Sequence, residues 1–312
     1  MLLKEGSRGQ EVVELQRALQ INVTGVFDEN TKAAVLKYQR EHGLMVDGIV
    51  GSQTLSAIRE ATITTDISEK VYSPFPGLTV KKNFLPSNEY KSGPTQKEYL
   101  FLHHTAGWNN PYNTVQDWAS DNRGPVATEF VLGGRSVKGN DDRFDGEMVQ
   151  CCPEGAYGWH LGDNGSQYMH VHSVGIEVCN FGQLTEGGYK NSNRVWIEKI
   201  PGKYYTYSGQ QVDDSQIVKL DKPFREYKGW HAYSDKQIEA LKLFILWIAE
   251  RDSIDIRDGL IANIKRNGVN GFDFNEDAYY GRIKGMWTHT NTRKDKFDLF
   301  PQPSLIDMLL SL

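Results

Sequence analysis

Histidines and carboxylates close to apolar segments are the residues of this chain whose types and spacing could do chemistry. His103 and His104 directly follow the apolar run YLFL, and His289 is followed seven and nine residues later by Lys296 and Asp298. Two neutral imidazoles and one carboxylate form a three-ligand zinc set that leaves a fourth position for water. From spacing alone, however, the favoured interpretation of any single histidine is a hydrogen-bonded core or surface residue.

Strand geometry limits how these side chains can point. Neighbouring residues on a strand face opposite sides of the sheet, so only one of His103 and His104 can face a metal. In HSVGIEV, alternation places Glu177 on the face opposite to Val174 and Ile176. A carboxylate on a mostly apolar strand is costly to bury without a partner or a function. Glu177 is therefore either a functional residue or one member of a structural pair.

The order of strand-like and helical segments predicts the fold class. Apolar strands are predicted at 99–102, 127–132 and 174–178, and Ser234 with Gln237 forms a capping box before a helix. Strands and helices that alternate in this way indicate an α/β domain with a central mixed β-sheet flanked by helices, over residues 78–312. Because the histidines follow a strand, the zinc site is expected at the edge of this sheet.

The first 60 residues form a separate predicted unit, a small three-helix bundle. Gly25 and Gly48 are each followed six residues later by a threonine, and Asp28 is placed to cap the second helix. Residues 61–77 contain two prolines and a glycine without helical periodicity, which predicts a linker. The N-terminal segments VVELQRAL, VTGVFDENTKAAVLKYQ and GLMVDGIVGSQTLSAI resemble the peptidoglycan-binding domain of many cell-wall hydrolases. This resemblance implies that residues 1–60 bind the wall polymer and have no catalytic role.

A second resemblance covers residues 78–312. The segments YLFLHHTAG, GWHLG, HSVGIEVCN and HTNTRKDKFD are similar to those of the zinc amidases related to peptidoglycan recognition proteins, which are N-acetylmuramoyl-L-alanine amidases. The resemblance implies Zn²⁺ held by His103, His289 and Asp298. The sequence departs from many of these relatives at two places. The chain reads VATEFVLGG where many relatives have a Tyr near the metal, and KFDLFP where many read K-x-D-P-G.

The same resemblance assigns roles to further residues. Glu177 matches the glutamate that acts as general base, and Lys296 matches the lysine that stabilises the oxyanion. His160 matches a histidine that lines the substrate groove. Glu129 becomes a further polar candidate beside the site, and His104 is also assigned to substrate binding. The implied reaction is hydrolysis of the amide between N-acetylmuramic acid and L-alanine in peptidoglycan.

Charge and segment lengths narrow the partners and the location. The net charge of −5 argues against general nucleic-acid binding, and no apolar segment approaches the roughly 20 residues that span a bilayer. The N-terminus MLLKEGSRGQ lacks the apolar stretch of a signal peptide. We therefore expect synthesis in the cytoplasm and action on the bacterial wall after release. This pattern is typical of a phage endolysin, which reaches the wall through a membrane lesion (made by a holin).

Two alternatives belong to other functional classes. A zinc peptidase that cuts the stem peptide would usually show H-x(6)-D followed by E-x-x-H, and the sequence contains no such pair. A non-catalytic peptidoglycan recognition protein would usually lack a metal ligand, whereas all three ligand positions are filled here. The residues from 183 to 233 are predicted to be an insertion that either shapes the groove or covers the sheet.

Overall fold

The computed structural model forms two compact units, Met1–Lys70 and Val71–Leu312. The residues that it describes are 2–19, 21–42, 44–51, 53–55, 57–58, 71–162, 166–191 and 193–312. No helix among these residues is both long and apolar enough to cross a membrane.

The N-terminal unit is helical. Helix α1 spans Gln10–Ala18, α2 spans Glu29–Glu41, and residues 53–55 and 57–58 are also helical. The predicted cap of α2 is confirmed, because the Asp28 carboxylate accepts a hydrogen bond from the backbone N–H of Thr31. The apolar core of this unit comprises Leu3, Val12, Leu15, Phe27, Val35, Val50 and Ile58.

The internal repeat has a structural basis that the glycine spacing alone did not reveal. The buried Gln16 donates to Val26 O (2.9 Å) and accepts from Gly25 N (2.9 Å). The buried Gln39 makes the equivalent bonds to Ile49 O and from Gly48 N, each at 2.9 Å. Both glycines have a φ of 70°, a conformation that favours residues without a Cβ. Each glutamine lies nine residues before its glycine and holds the turn through its side-chain amide.

The second unit is built on a seven-stranded mixed sheet. Its strands are β1 Val71–Phe75, β2 Leu78–Lys82, β4 Tyr99–His104, β5 Phe130–Leu132, β6 Met148–Gln150, β8 Ser173–Val178 and β15 Gly285–Thr288; the short strands β3 Lys91–Ser92 and β7 Ala156–Tyr157 pair separately. The order in the sheet is β1-β2-β6-β5-β8-β4-β15. Strands β4, β5, β8 and β15 are mutually parallel where they pair, and β1–β2 and β5–β6 are antiparallel.

Helices flank this sheet, as the sequence predicts for an α/β domain. They are α3 Pro111–Ser120, α4 Gln167–Val171, α5 Asp235–Asp252, α6 Leu260–Asn267, α7 Glu276–Tyr279, α8 His289–Thr292 and α9 Pro303–Leu310. The longest, α5, begins with the predicted capping box of Ser234 and Gln237.

The two faces of the sheet differ in what they pack against. One face carries Leu100, Leu102 and Ile176 into the main core, which also contains the apolar face of α5. The opposite face carries Tyr99, Phe101 and Trp287 into a smaller cluster. Because side chains alternate along a strand, this second face continues at the ends of β4 and β8 into residues 103 and 177. The candidate site therefore lies on the second face, at the carboxyl ends of parallel strands.

The predicted linker at 61–77 is partly wrong. Residues 61–70 lie outside the described part of the chain, but Val71–Phe75 is strand β1 at the edge of the sheet. Pro74 is compatible with an edge strand, because an edge position leaves a backbone group without a ladder partner. Pro76 and Gly77 (φ 80°) form the two-residue turn to β2. Proline and glycine here mark a hairpin and an edge rather than a linker.

The insertion forms its own β-structure. A four-stranded sheet in the order β12-β9-β14-β13 comprises Tyr204–Tyr205, Gln183–Glu186, Tyr227–His231 and Ile217–Phe224, and β10 Gly188–Lys190 pairs with β11 Trp196–Glu198. The predicted strand at 127–132 is shorter in the structure, because only Phe130–Leu132 pairs with its neighbours.

Candidate active site

Three neighbouring strands bring the candidate residues to one edge of the sheet. His103 is paired in register with Glu177 across β4 and β8, and β15 lies on the other side of β4. β15 ends at Thr288, whose side chain caps α8, so His289 is fixed as the first residue of that helix. The carboxyl ends of these parallel strands thus bring His103, His289 and Glu177 together, and His289 and Glu177 border one cavity.

His103, His289 and Asp298 form a buried group with the composition of a metal site. Their potential ligand atoms lie within 4.8 Å of one another. Oδ2 of Asp298 lies 3.0 Å from Nδ1 of His289 and 3.3 Å from Nδ1 of His103. Nε2 of His289 is buried and has no hydrogen-bond partner among the described residues. A buried nitrogen beside a carboxylate is suited to bind a cation. Without a cation or a hydrogen-bond partner, burying this nitrogen costs free energy.

The charge states of this group also fit a metal. Burial lowers the pKa of His103 to about 4, which keeps the imidazole neutral at pH 7. Burial opposes ionisation of Asp298, but the imidazoles of His289 and His103 hold the pKa of Asp298 well below its usual range. Neutral imidazole and ionised carboxylate are the forms that bind metals. His103 and Asp298 are therefore in the forms that a metal ligand requires.

His160 lies behind His103 and orients it. Nδ1 of His160 is 3.0 Å from Nε2 of His103, and Nε2 of His160 is 2.8 Å from Oγ of Ser173. A Cβ added at Gly175 would lie 3.1 Å from Nδ1 of His160, so the absence of a side chain there lets the ring approach β8. His160 borders the cavity, as predicted, and also takes part in a hydrogen-bond chain that fixes the ring of His103.

Glu177 borders the same cavity with a free carboxylate oxygen. Its side chain is half-buried, and Oε2 has neither solvent contact nor a hydrogen-bond partner among the described residues. Burial, together with the nearby Asp298 carboxylate, raises the pKa of Glu177 well above its usual range, and the Lys296 ammonium opposes this rise. An unpaired carboxyl with a raised pKa is suited to taking and returning a proton.

Lys296 lies on the rim of the cavity. The cavity has a volume of about 430 Å³ and is bordered by Glu177, His289 and Asp298, together with the cationic side chains of Lys296 and Arg293. Lys296 is half-buried. The structure thus places the predicted base, the predicted lysine and the metal group around one space that is large enough for part of a substrate.

His104 and Glu129, the two other residues predicted to bind substrate, differ in their position relative to the cavity. Nδ1 of His104 lies 2.8 Å from the Tyr233 hydroxyl on the opposite face of β4 from His103, although His104 also borders the cavity. Glu129 is not among the described residues that border the cavity. Thr128 borders the cavity instead, while the buried Glu129 lies close enough to Lys97 for the Lys97 ammonium to lower its pKa. Burial outweighs this effect and raises the pKa of Glu129 to about 8.

Arg225 is a residue near the site that sequence reasoning missed. It lies in the turn between β13 and β14 and donates hydrogen bonds to the carbonyls of Thr290 (3.0 Å) and Lys294. These carbonyls belong to the segment between His289 and Asp298. The only sequence signal was the place of Arg225 in an insertion between motifs, which does not indicate what an arginine contacts.

Comparison with protein families identifies the chain. A model described as N-acetylmuramoyl-L-alanine amidase matches residues 93–272, more than half of the chain, and a model described as a peptidoglycan binding domain matches residues 8–58. The chain therefore belongs to the N-acetylmuramoyl-L-alanine amidase family. The expected resemblance of both segments is confirmed.

Individual relatives match different shares of the chain. The spore cortex-lytic enzyme of Halalkalibacterium halodurans is 37% identical over 67 residues, which cover 20% of this chain and 20% of that protein. The chain thus matches about a fifth of the length of this curated relative. The crystal structure of the SleB N-terminal domain is 34% identical, covers 20% of this chain and 93% of that chain, and has a TM-score of 0.20. The structure of PlyL is 14% identical over 70% of this chain and 84% of that chain, with a TM-score of 0.34.

Proposed function

We propose that this chain is a zinc-dependent amidase that hydrolyses the bond between N-acetylmuramic acid and L-alanine in peptidoglycan. The observation that carries the proposal is the unpartnered Oε2 of Glu177 at the cavity that His289 and Asp298, two members of the buried group with His103, also border. Membership of the amidase family supports the choice of bond. The match of residues 8–58 to a peptidoglycan binding domain supports the polymer as the substrate.

The side chains around the cavity have complementary tasks in such a reaction. Zinc held by His103, His289 and Asp298 would polarise the scissile carbonyl and lower the pKa of a water ligand. The carboxylate of Glu177 takes a proton from the attacking water and returns it to the departing amine of L-alanine. The ammonium of Lys296 stabilises negative charge that develops on the carbonyl oxygen. His160 keeps the ring of His103 in position through its 3.0 Å contact.

The products of digestion test this proposal. Purified full-length protein with zinc should release new amino termini of L-alanine from peptidoglycan without new reducing sugar ends. Glu177→Gln should lower this release by about 10²- to 10⁴-fold while zinc binding, followed by calorimetry, stays unchanged. Release of reducing sugar ends alone would indicate a glycosidase, and new amino termini other than L-alanine would indicate a peptidase. Binding of peptidoglycan without any cleavage would indicate a recognition protein.

We also propose a lytic role in which the protein acts on the wall after release from the cell that makes it, as a phage endolysin does. Amide cleavage by a chain that carries a wall-binding unit would weaken the wall from the point where the protein meets it. Fractionation of cells that express the chain alone tests this role. If the protein appears outside the membrane without a membrane lesion, this result would contradict the proposed role.

A further inference from the structure

A second cavity of about 360 Å³ adjoins the active-site cavity, and we refer to it as the aromatic groove. Both cavities are bordered by Thr105, Ala106, Trp118 and Arg123. The groove therefore begins two residues after His103 and continues away from the metal group. A substrate that is bound across the metal group can extend into it without leaving the protein surface.

Two exposed aromatic side chains border the aromatic groove and are held in place. Trp108 is 45% exposed and Tyr207 is 55% exposed. The buried ring of Phe181 lies between them, 5.1 Å from Trp108 and 6.1 Å from Tyr207. The Tyr207 hydroxyl also donates to the carbonyl of Ala106 at 2.9 Å. Rings that are fixed before binding lose little conformational entropy when a ligand packs against them.

The polar groups of the groove suit a ligand that carries hydroxyl groups. Its side chains include Asn110, Asn113 and Thr114, which offer amide and hydroxyl groups, and the exposed Asp117, whose carboxylate accepts hydrogen bonds. Its single cationic side chain, Arg123, already donates to the Asp121 carboxylate at 2.9 Å. The active-site cavity, in contrast, also has Lys296 and Arg293 on its border. Aromatic faces beside amide, hydroxyl and carboxylate groups fit a sugar, because a sugar presents C–H faces and hydroxyls to such groups.

We propose that the aromatic groove is a glycan subsite that binds the N-acetylated sugars on the carbohydrate side of the scissile amide. This proposal rests on the proposed function, because an N-acetylmuramoyl–L-alanine bond has a sugar on one side and a peptide on the other. The sugar side enters the groove past Trp108 and Tyr207. The peptide side remains near the cations at the border of the active-site cavity.

Tryptophan resonances can test the subsite in the full chain. All seven tryptophans lie between residues 108 and 287, so the N-terminal unit contributes no tryptophan signal even if it binds the same polymer. The protein is labelled with fluorotryptophan, and the Trp108 signal is assigned with Trp108→Phe. The probe is a peptide-free oligomer of alternating N-acetylglucosamine and N-acetylmuramic acid. Trp196, which is 47% exposed and does not border the groove, is the internal control.

The expected result is a saturable shift of the Trp108 signal and no shift of the Trp196 signal. Tyr207→Ala should raise the dissociation constant from this titration about tenfold, because one wall of the groove is lost. The control Tyr280→Ala removes a tyrosine that is 58% exposed and does not border the groove, and should leave the constant unchanged. Equal weakening by both variants would contradict the proposal.

The titration is independent of catalysis, since the probe contains no amide to the stem peptide. A free stem peptide that shifts the Trp108 signal, with no effect of the glycan, would make the groove a peptide site and overturn the proposal. No shift with either probe would also overturn it. If instead the glycan binds as expected but digestion releases no L-alanine, the proposed reaction fails while the glycan site stands.

Discussion

Replacing Arg225 tests whether the insertion positions the segment between His289 and Asp298. Arg225 and Glu226 form the turn between β13 and β14, with φ values of 50° and 75°. Such left-handed conformations cost non-glycine residues on the order of 1 kcal/mol each. This turn directs the guanidinium at the carbonyls of Thr290 and Lys294. The Arg225 side chain is only 12% exposed, so water replaces these bonds poorly.

The size of the effect follows from the bonds that a lysine cannot make. Arg225→Lys keeps the positive charge, but a single ammonium group cannot reach both carbonyls in the geometry of the guanidinium fork. At least one charged hydrogen bond is then lost, which costs about 1.5–3 kcal/mol. The segment from 290 to 294 leads directly to Asp298 and becomes less ordered. If zinc binding must order this segment again at a free-energy cost of about 1.4 kcal/mol, the zinc dissociation constant rises about tenfold.

The assay is a zinc titration of metal-free full-length protein in competition with a chromophoric chelator. Turnover at saturating zinc is measured in parallel and should recover most of the wild-type rate, because Arg225 touches neither the metal ligands nor Glu177. The matched control is Arg282→Lys, whose side chain is 55% exposed and pairs with Asp277 at 3.4 Å. An unchanged zinc dissociation constant, with only a lower midpoint of unfolding, would refute the positioning role.

Two further predictions concern packing and pH. In Gly175→Ala, the new Cβ would lie 2.8 Å from Cγ2 of Thr128 and 3.1 Å from Nδ1 of His160. This variant should therefore have a lower turnover and be less stable by about 1–3 kcal/mol. An unchanged turnover would show that the position of His160 does not affect the reaction. Glu129, with an ordinary pKa of 4.5 raised to about 8 by burial, binds a proton on folding between these pH values. Stability should therefore be fully present below about pH 4.5 and fall towards pH 8, by at most about 1.4 kcal/mol per pH unit. Glu129→Gln should flatten this decline in urea titrations, and an equally steep decline in the variant would contradict the assignment.

The resemblance to the amidase family assigned the metal group and the base, and strand patterns explain why these residues lie at one edge of the sheet. The alternation in HSVGIEV placed Glu177 opposite the apolar face of β8, and that face does enter the main core. His103 ends a strand that pairs with β8 in parallel register, so the two residues had to meet at the same edge. Glu129 was proposed as a substrate residue from its place in VATEFVLGG, where many relatives have a Tyr. The structure has Thr128 of this segment at the cavity, and residues 127–129 lie outside the paired part of β5.

Buried polar side chains with distant partners could not be predicted in this way. Gln16 and Gln39 are fully buried in the N-terminal unit, although glutamine is usually exposed. Each is stabilised by backbone groups of a glycine turn, and a helical period assigns such a residue only to a face. The conformation of the turn must be known before one can predict that a glutamine side chain will bond to its backbone groups. The repeat in the sequence indicated the turns but not the residues that hold them.

The insertion contributes to both sides of the candidate active site, and this explains what the sequence motifs omit. Tyr207 bonds to the carbonyl of Ala106, 101 residues earlier in the chain, and Arg225 bonds to Thr290, 65 residues later. Both acceptors are backbone carbonyls, which any residue type supplies, so neither contact leaves a pattern at its far end. Motifs that lie outside 183–233 therefore predict metal ligands and a base but not the contacts of these two side chains. We infer that residues 183–233 do more than cover the sheet, because one of their side chains borders the aromatic groove and another fixes the segment that leads to Asp298.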